Sequence, residues 1–231
     1  MDNLCIIASS KLWNNDLIEN VRSYSGFEVH YISNPMQLTL SRLSKMQPRY
    51  IFFPHWSHII QSDIYKNFEC VIFHMTDLPF GRGGSPLQNL IVRGIRKTKI
   101  SALRCNEEVD AGPIYLKRRL SLHGSAQKIY QRATKEVENM IAEILKTNPV
   151  PVPQKGKVTM FKRRKARQSN LAGIKTLDEA YDLIRMLDAD GYPHAFLDLG
   201  PFKLQFTRAI RKTDKVLADV SITLRSSDER S

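Results

Sequence analysis

Short apolar runs alternate with amphipathic helical patterns along the first 147 residues of this 231-residue chain. The runs are bounded by polar or turn-forming residues, which is typical of buried strands. We predict strands at residues 4–9, 27–32, 50–54, 69–74 and 99–105, with helices between them at residues 14–23, 35–46 and 87–94. This alternation favours a mostly parallel sheet with helices on both faces.

The pattern changes in the second part of the chain. A further strand at residues 113–120 is predicted to make one edge of the sheet antiparallel, and Ser125 then caps a long helix that ends at Asn148. The alternating prolines of residues 149–153 form an extended connector. A capping-box pattern at residues 176–179 opens a short helix. The last strands are predicted at residues 194–199, 203–210 and 216–224.

We therefore expect an α/β protein with a Rossmann-like, doubly wound, mostly parallel sheet and a small β-rich C-terminal appendage. The predicted boundaries are a first domain over residues 1–148, a proline-rich and basic linker over residues 149–170, and a small α+β domain over residues 171–231.

The net charge of +12 suggests an anionic partner, but the charge is concentrated in one place. Residues 155–167 contain seven lysines and arginines and no acidic residue, which is more than half of the surplus. A cluster this compact is compatible with a diphosphate, with RNA, or with a solvated linker, and all three readings stay open here.

Nothing in the composition indicates a membrane or secreted protein. No apolar run approaches the roughly 18 residues that a membrane span needs. The N-terminus lacks the basic region of a signal peptide. The odd number of cysteines, at Cys5, Cys70 and Cys105, shows no metal-ligand spacing, so we expect reduced, buried thiols in a cytoplasmic protein.

A histidine and an acid are the strongest candidates for chemistry. His74 directly follows the apolar run 70–73 and precedes a Gly/Pro-rich loop, and Asp110 lies in an Asp-x-Gly turn after the predicted strand 99–105. Ligands bind at the carboxyl ends of strands in open α/β sheets. We therefore expect His74 and Asp110 to form a proton-handling pair from neighbouring strand ends.

The loop after His74 resembles that of folate-dependent formyltransferases, whose pattern is roughly Asn-x-His-x-Ser-x-Leu-Pro-x-x-Arg-Gly-x-x-Pro. Residues 78–79, 82–83 and Pro86 fall in register, and residues 109–112 match the Asp-x-Gly signature. Three further segments resemble the amino-sugar branch of the family: residues 50–60, 161–164 and 191–196.

The resemblance implies an N-formyltransferase that uses N10-formyltetrahydrofolate. His74 would shuttle a proton or stabilise the oxyanion, and Asp110 would raise the pKa of the imidazole through its negative charge. The implied cofactor contacts are His58, Ile59, Ile60, Leu78, Arg82, Asn106, Glu107, Glu108, Val109 and Asp110. Contacts to the substrate are expected from Ser9, Ser10, Lys11, Gln88, Arg163 and Arg164.

The expected substrate is a nucleotide-linked amino-deoxy sugar of the 4-amino-4,6-dideoxy type, used for surface glycan or flagellar sugar synthesis. The short chain and the compact basic run favour this substrate, because a protein that binds tRNA needs phosphate contacts over a wide surface. We expect no nucleic-acid partner and no membrane contact, and a homodimer stays open. The alternatives are a methionyl-tRNA formyltransferase or a catalytically silent folate- or nucleotide-binding homologue.

One position departs from the family pattern. The family places an asparagine two residues before the histidine, where its amide stabilises the oxyanion, and this chain has Ile72 there. Loss of one oxyanion donor commonly costs about 10²–10³ in rate. Another group has to replace the amide if the enzyme is active, as we expect. The candidates are His55, Ser57, His58, Gln88 and Asn89.

Overall fold

The structure, a computed structural model, describes residues 3–9 and 15–225. The chain divides into two compact units that interleave along the sequence. The first unit comprises Met1–Gly83, Thr98–Leu120 and Gln131–Met160; the second comprises Gly84–Lys97, Ser121–Tyr130 and Phe161–Ser231. The domain boundaries at residues 148 and 170 stay a prediction.

Eleven strands and six α-helices are formed by the described residues. The strands are β1 (Leu4–Ala8), β2 (Glu28–Ile32), β3 (Tyr50–Phe53), β4 (Cys70–His74), β5 (Phe80–Gly83), β6 (Lys97–Arg104), β7 (Ile114–Ser121), β8 (Thr159–Phe161), β9 (Ala195–Leu199), β10 (Phe202–Arg211) and β11 (Val216–Leu224). The helices are α1 (Asn15–Ser25), α2 (Leu40–Met46), α3 (Ser62–Tyr65), α4 (Pro86–Val92), α5 (Ala126–Thr147) and α6 (Leu177–Arg185).

A six-stranded sheet with the order β2-β1-β3-β4-β6-β7 forms the centre of the first unit. Strands β1 to β4 pair in parallel, as the alternation of strands and helices predicts. The expected Rossmann-like α/β fold with a parallel-dominated sheet and a β-rich C-terminal part is confirmed. Among the described residues, no helix is long and apolar enough to cross a membrane.

The antiparallel edge of the sheet begins one strand earlier than predicted. Strand β6 pairs antiparallel with β4, and His74 lies opposite Ser101. The connection from β4 to β6 contains strand β5 and helix α4, and α4 belongs to the second unit. An antiparallel pair, unlike a parallel one, needs no crossover helix on the sheet.

The core beside β3 and β4 is apolar up to the predicted site. Ile6, Ile51, Phe53 and Cys70 are almost completely buried in one cluster, and Ile72 packs against it. Because side chains alternate along a strand, Cys70, Ile72 and His74 share one face of β4. Ile72 therefore fills the space between the core and His74 with apolar atoms.

The second unit contains the antiparallel sheet β11-β10-β9 and helix α6. Helix α6 opens with the predicted capping box, in which Thr176 accepts from the backbone of Glu179 and the Glu179 side chain accepts from the backbone of Thr176. At the other end, Arg185 is 2% exposed and donates to the main-chain oxygens of Leu122 and Gly124. These bonds, together with the ion pair between Nε of Arg185 and Oδ1 of Asp182 at 2.6 Å, offset the cost of burying the charge.

Candidate active site

His74 and Asp110 lie side by side in the first unit. Nδ1 of His74 is 3.4 Å from Oδ2 of Asp110, and the two side chains are only 9% and 13% exposed. This separation is slightly longer than a normal hydrogen bond, but it is short enough for direct electrostatic interaction. The structure thus brings the two predicted catalytic side chains together, and their roles stay a prediction.

Asp110 reaches His74 by a different route from the predicted one. Since β6 runs antiparallel to β4, the carboxyl end of β6 lies beside the amino end of β4, near Val71. The loop that follows therefore folds back to place Asp110 beside His74. Asp110 has a positive φ of 54°, and its Oδ2 accepts a hydrogen bond of 2.8 Å from the Gly83 amide.

Gly112 allows this turn to form. A Cβ atom at residue 112 would lie 1.8 Å from the main-chain oxygen of Arg104, so no larger residue fits without a shift of the backbone. The Arg104 amide in turn donates to the oxygen of Pro113 over 2.9 Å. The Asp-x-Gly signature thus marks a tight turn, and the hydrogen bond between Arg104 and Pro113 closes the loop that contains it.

The second ring nitrogen of His74 meets a main-chain acceptor. Nε2 lies 2.7 Å from the oxygen of Gly81, which also accepts from the Thr76 hydroxyl over 3.3 Å. A carbonyl oxygen only accepts, so Nε2 carries the proton in this contact. The imidazole therefore has an acceptor on each side, and Gly81 has to move before Nε2 can face a substrate.

Ser101 and two lysines hold the loop after His74. The Ser101 hydroxyl donates to the oxygen of Thr76 over 2.8 Å and accepts from the Leu78 amide over 3.3 Å. Asp77 pairs with Lys117 at 2.6 Å and with Lys99 at 2.9 Å. Burial disfavours ionisation of Asp77, but the hydrogen bonds from Lys117 and Lys99 outweigh it and lower the pKa of the carboxyl.

Gln154 connects the turn that carries Asp110 with Arg82 of the loop after His74. No sequence pattern predicts this role of Gln154. Its amide nitrogen donates to the main-chain oxygens of Asp110 and Gly112, each over 2.8 Å. Its amide oxygen accepts from Nε and Nη2 of Arg82 at 3.2 and 2.9 Å. Arg82 also lies 4.0 Å from Glu108. The residues predicted to be linker therefore supply a structural part of the site.

The predicted cofactor residues fall into two groups. Leu78 and Ile60 are buried, at 1% and 9% exposure, and the main-chain amide and oxygen of Leu78 are bonded to Ser101 and Lys117. The other side chains are on the surface or close to it. His58, Ile59 and the residues 106–109 are exposed, and Arg82 and Asp110 are partly buried. Ile59 is 94% exposed, although it is apolar.

Within residues 3–9 and 15–225, no candidate side chain is observed in place of the missing amide at Ile72. The Gln88 amide donates to Tyr130 and to the oxygen of Met186 within the second unit, at 3.3 and 3.2 Å. Asn89 donates to three main-chain oxygens, and Nε2 of His55 lies 3.1 Å from the Thr134 hydroxyl. Three of the five candidates are thus engaged in structural contacts, while Ser57 and His58 are exposed.

The predicted substrate residues are distributed over the chain. Ser9 is completely buried, and Ser10 and Lys11 lie outside the described residues. Gln88, Arg163 and Arg164 belong to the second unit. Gln88 is buried there, whereas Arg163 is exposed and Arg164 is partly exposed.

Comparisons with known proteins place this fold among the formyltransferases. A family model described as methionyl-tRNA formyltransferase, C-terminal domain, matches residues 166–223. A solved structure of a methionyl-tRNA formyltransferase from Clostridium thermocellum is 48% identical, with a TM-score of 0.93, over 96% of this chain and 99% of that one. The chain therefore belongs to the formyltransferase family that includes the methionyl-tRNA formyltransferases.

More distant proteins match in part or in fold alone. The methionyl-tRNA formyltransferase of Sulfurimonas denitrificans is 26% identical over 49% of this chain and 40% of its own length. The chain spans about half the length of the curated relatives that it matches. A sugar N-formyltransferase from Shewanella sp. is 17% identical, with a TM-score of 0.72, over 91% of this chain and 98% of that one, which shows the fold alone.

These comparisons confirm the predicted formyltransferase family and overturn the predicted substrate. Sugar formylation, a nucleotide-sugar partner and the absence of a nucleic-acid partner are wrong, because the 48% identical structure and the curated relatives are methionyl-tRNA formyltransferases. A short chain does not exclude tRNA formylation. This chain covers 99% of the Clostridium thermocellum methionyl-tRNA formyltransferase, which is therefore of similar length.

Proposed function

We propose that this protein transfers the formyl group of N10-formyltetrahydrofolate to the amino group of methionyl-tRNA. The single observation that carries the proposal is the 48% identity with the Clostridium thermocellum methionyl-tRNA formyltransferase over nearly the whole of both chains. The buried His74–Asp110 pair supports it, because formyl transfer to an amine requires a group that moves protons.

The two implied cofactor segments fit a flat, partly apolar cofactor that supplies the formyl group. The apolar side chains of Ile59 and Val109 are 94% and 67% exposed on the two implied cofactor segments. The indole Nε1 of Trp56 is buried with no hydrogen-bond partner in the described part of the chain. Buried donors of this kind usually have an acceptor in the working state. Residues 56–60 and 106–110 would therefore hold the cofactor.

The chain's own residues account for the movement of protons. Asp110 orients the imidazole of His74 and balances a positive charge on it. When Gly81 has moved away, Nε2 of His74 can exchange a proton with the reacting nitrogen atoms. The Gly83 amide keeps Asp110 in place by donating to the same oxygen that faces His74. Positioned acid–base groups of this kind typically contribute about 10²–10⁴ in rate.

The test is a formylation assay with methionyl-tRNA, N10-formyltetrahydrofolate and the purified chain. We expect wild type to produce formylmethionyl-tRNA. The His74→Ala variant should react more slowly by a factor of about 100 or more. Asp110→Asn keeps the size of the side chain and removes its charge, so it should also be slow while the fold is retained. Equal inactivity of wild type and His74→Ala, with folate still bound, would reject the proposal in favour of a silent homologue.

A further inference from the structure

In the second unit, Gly84 and Ser85 hold the main chain of residues 161–164. The Gly84 amide donates to the oxygen of Phe161 over 3.0 Å, and a Cβ atom at residue 84 would lie 2.7 Å from Cα of Arg163. The Ser85 hydroxyl accepts from the Arg164 amide over 3.0 Å. The segment that carries Arg163 and Arg164 is therefore fixed in position, which is unlike a solvated linker.

Arg93 is held against the same segment. Its guanidinium lies 4.5 Å from the centre of the Phe161 ring, and Nη1 donates to the main-chain and side-chain oxygens of Asn89 at 2.8 and 3.2 Å. The Asn89 amide also donates to the oxygen of Lys162 over 2.9 Å. One buried asparagine therefore sets the position of Arg93 relative to the residues that lead into Arg164.

The two arginines form no ion pair with any carboxylate in the described parts of the chain. Nη2 of Arg164 donates only to the main-chain oxygen of Gln168, over 3.0 Å. Burial, and then the charge of Arg93, lower the pKa of the Arg164 guanidinium. Two cations near each other without a counter-charge destabilise the folded chain, and a bound anion would remove that cost.

We propose that Arg93 and Arg164 form a binding site for a phosphate group, and that its source is a phosphodiester of the nucleic-acid substrate. The forked donors of arginine suit two phosphate oxygens, and both forks are already oriented by protein contacts. Lys162 and Arg163 are exposed beside the pair and extend the positive surface. The source of the phosphate rests on the proposed function, but the phosphate site itself does not.

The first experiment uses inorganic pyrophosphate as the probe. Pyrophosphate at millimolar concentration should raise the melting temperature of wild type in a saturable way. Arg93→Gln and Arg164→Gln should lose this effect, whereas Arg167→Gln, an exposed position of the same segment, should keep it. An equal response of all four proteins would overturn the phosphate site, whether or not the chain is a formyltransferase.

The second experiment measures binding of initiator methionyl-tRNA across a salt series. Each of Arg93→Gln and Arg164→Gln should raise Kd about 10-fold and reduce the slope of log K against log[salt] by about 1, while Arg167→Gln stays within about 2-fold. In the formylation assay, the two variants should raise KM for the tRNA and leave kcat unchanged.

The two proposals fail in distinguishable ways. If wild type makes formylmethionyl-tRNA and both variants bind the tRNA as well as wild type does, the nucleic-acid source of the phosphate is wrong and the proposed function stands. If pyrophosphate discriminates the variants but wild type neither binds nor formylates methionyl-tRNA, the phosphate site stands and the proposed function is wrong.

Discussion

The side-chain amide of Gln154 donates to the main-chain oxygen of Asp110 over 2.8 Å, although 44 residues separate them in the chain. The same amide group accepts two hydrogen bonds from Arg82 through its oxygen. Because Asp110 has a positive φ, its position depends on such contacts. Gln154 thus links the acid that faces His74 with the arginine of the loop.

Substitution Gln154→Glu should slow formylation about 10-fold or more. A carboxylate can still accept from Arg82, but it cannot donate to the oxygens of Asp110 and Gly112, and its charge lies beside Asp110. Loss of donors to buried acceptors typically costs about 1–3 kcal/mol each. The measurement is kcat, together with the melting temperature. Gln205→Glu in strand β10 is the matched control, and an unchanged kcat for Gln154→Glu would contradict a positioning role.

Substitution Ile72→Asn should accelerate the reaction. Asparagine at this position restores the side-chain amide of the family pattern on the face of β4 that carries His74. The upper limit of the gain is about 10²–10³, the usual worth of one oxyanion donor. The assay is kcat for methionyl-tRNA, and Ile72→Val controls for lost packing. A rate equal to or below that of Ile72→Val would show that another group already stabilises the oxyanion.

The parallel strands were predictable, but the direction of β6 was not. Apolar runs of the right length predicted β1 and β3 to within one residue at each end, since burial on both faces of a parallel sheet requires such runs. The run at 99–105 was predicted from the same kind of local pattern, and its antiparallel pairing depends on which strand it meets in the folded sheet. That is a tertiary property, which a local pattern does not contain.

The candidate site was predictable where a motif describes local geometry. His74 ends strand β4 directly before the loop, and Asp110 and Gly112 belong to one turn, so adjacent residues indicate both features. Gln154 acts through a side chain that meets Asp110 only in the folded chain, so no spacing rule indicates it. The substrate was misjudged because the compactness of residues 155–167 in sequence does not determine how charge is distributed over the folded surface.

Substitution Gly112→Ala should destabilise the first unit and slow the reaction. The new methyl group would lie 1.8 Å from the main-chain oxygen of Arg104, which forces the turn that carries Asp110 to move. Forcing an additional group into filled space costs about 1–3 kcal/mol. Urea unfolding measures this cost. Gly173→Ala is the control, because a Cβ atom there meets nothing within 4 Å. Equal stability of the two variants would contradict the tight turn.

The ion pairs of Asp77 should make stability depend on pH in the acidic range. The folded chain holds the pKa of this carboxyl below its ordinary value of 3.8, through hydrogen bonds from Lys117 and Lys99 that outweigh burial. As pH falls, the unfolded chain therefore binds the proton first. The contribution is complete above the ordinary pKa and is lost as pH falls through the lower, folded-state value. Because the Asp77 side chain is 41% exposed, solvent screening limits this contribution to stability to about 1 kcal/mol or less.

Thermal unfolding of wild type and Asp77→Asn from pH 6 to pH 2 measures this contribution. The variant should be less stable than wild type at pH 6, and the difference should shrink toward pH 2. A difference for Asp77→Asn that grows on acidification would contradict the lowered pKa.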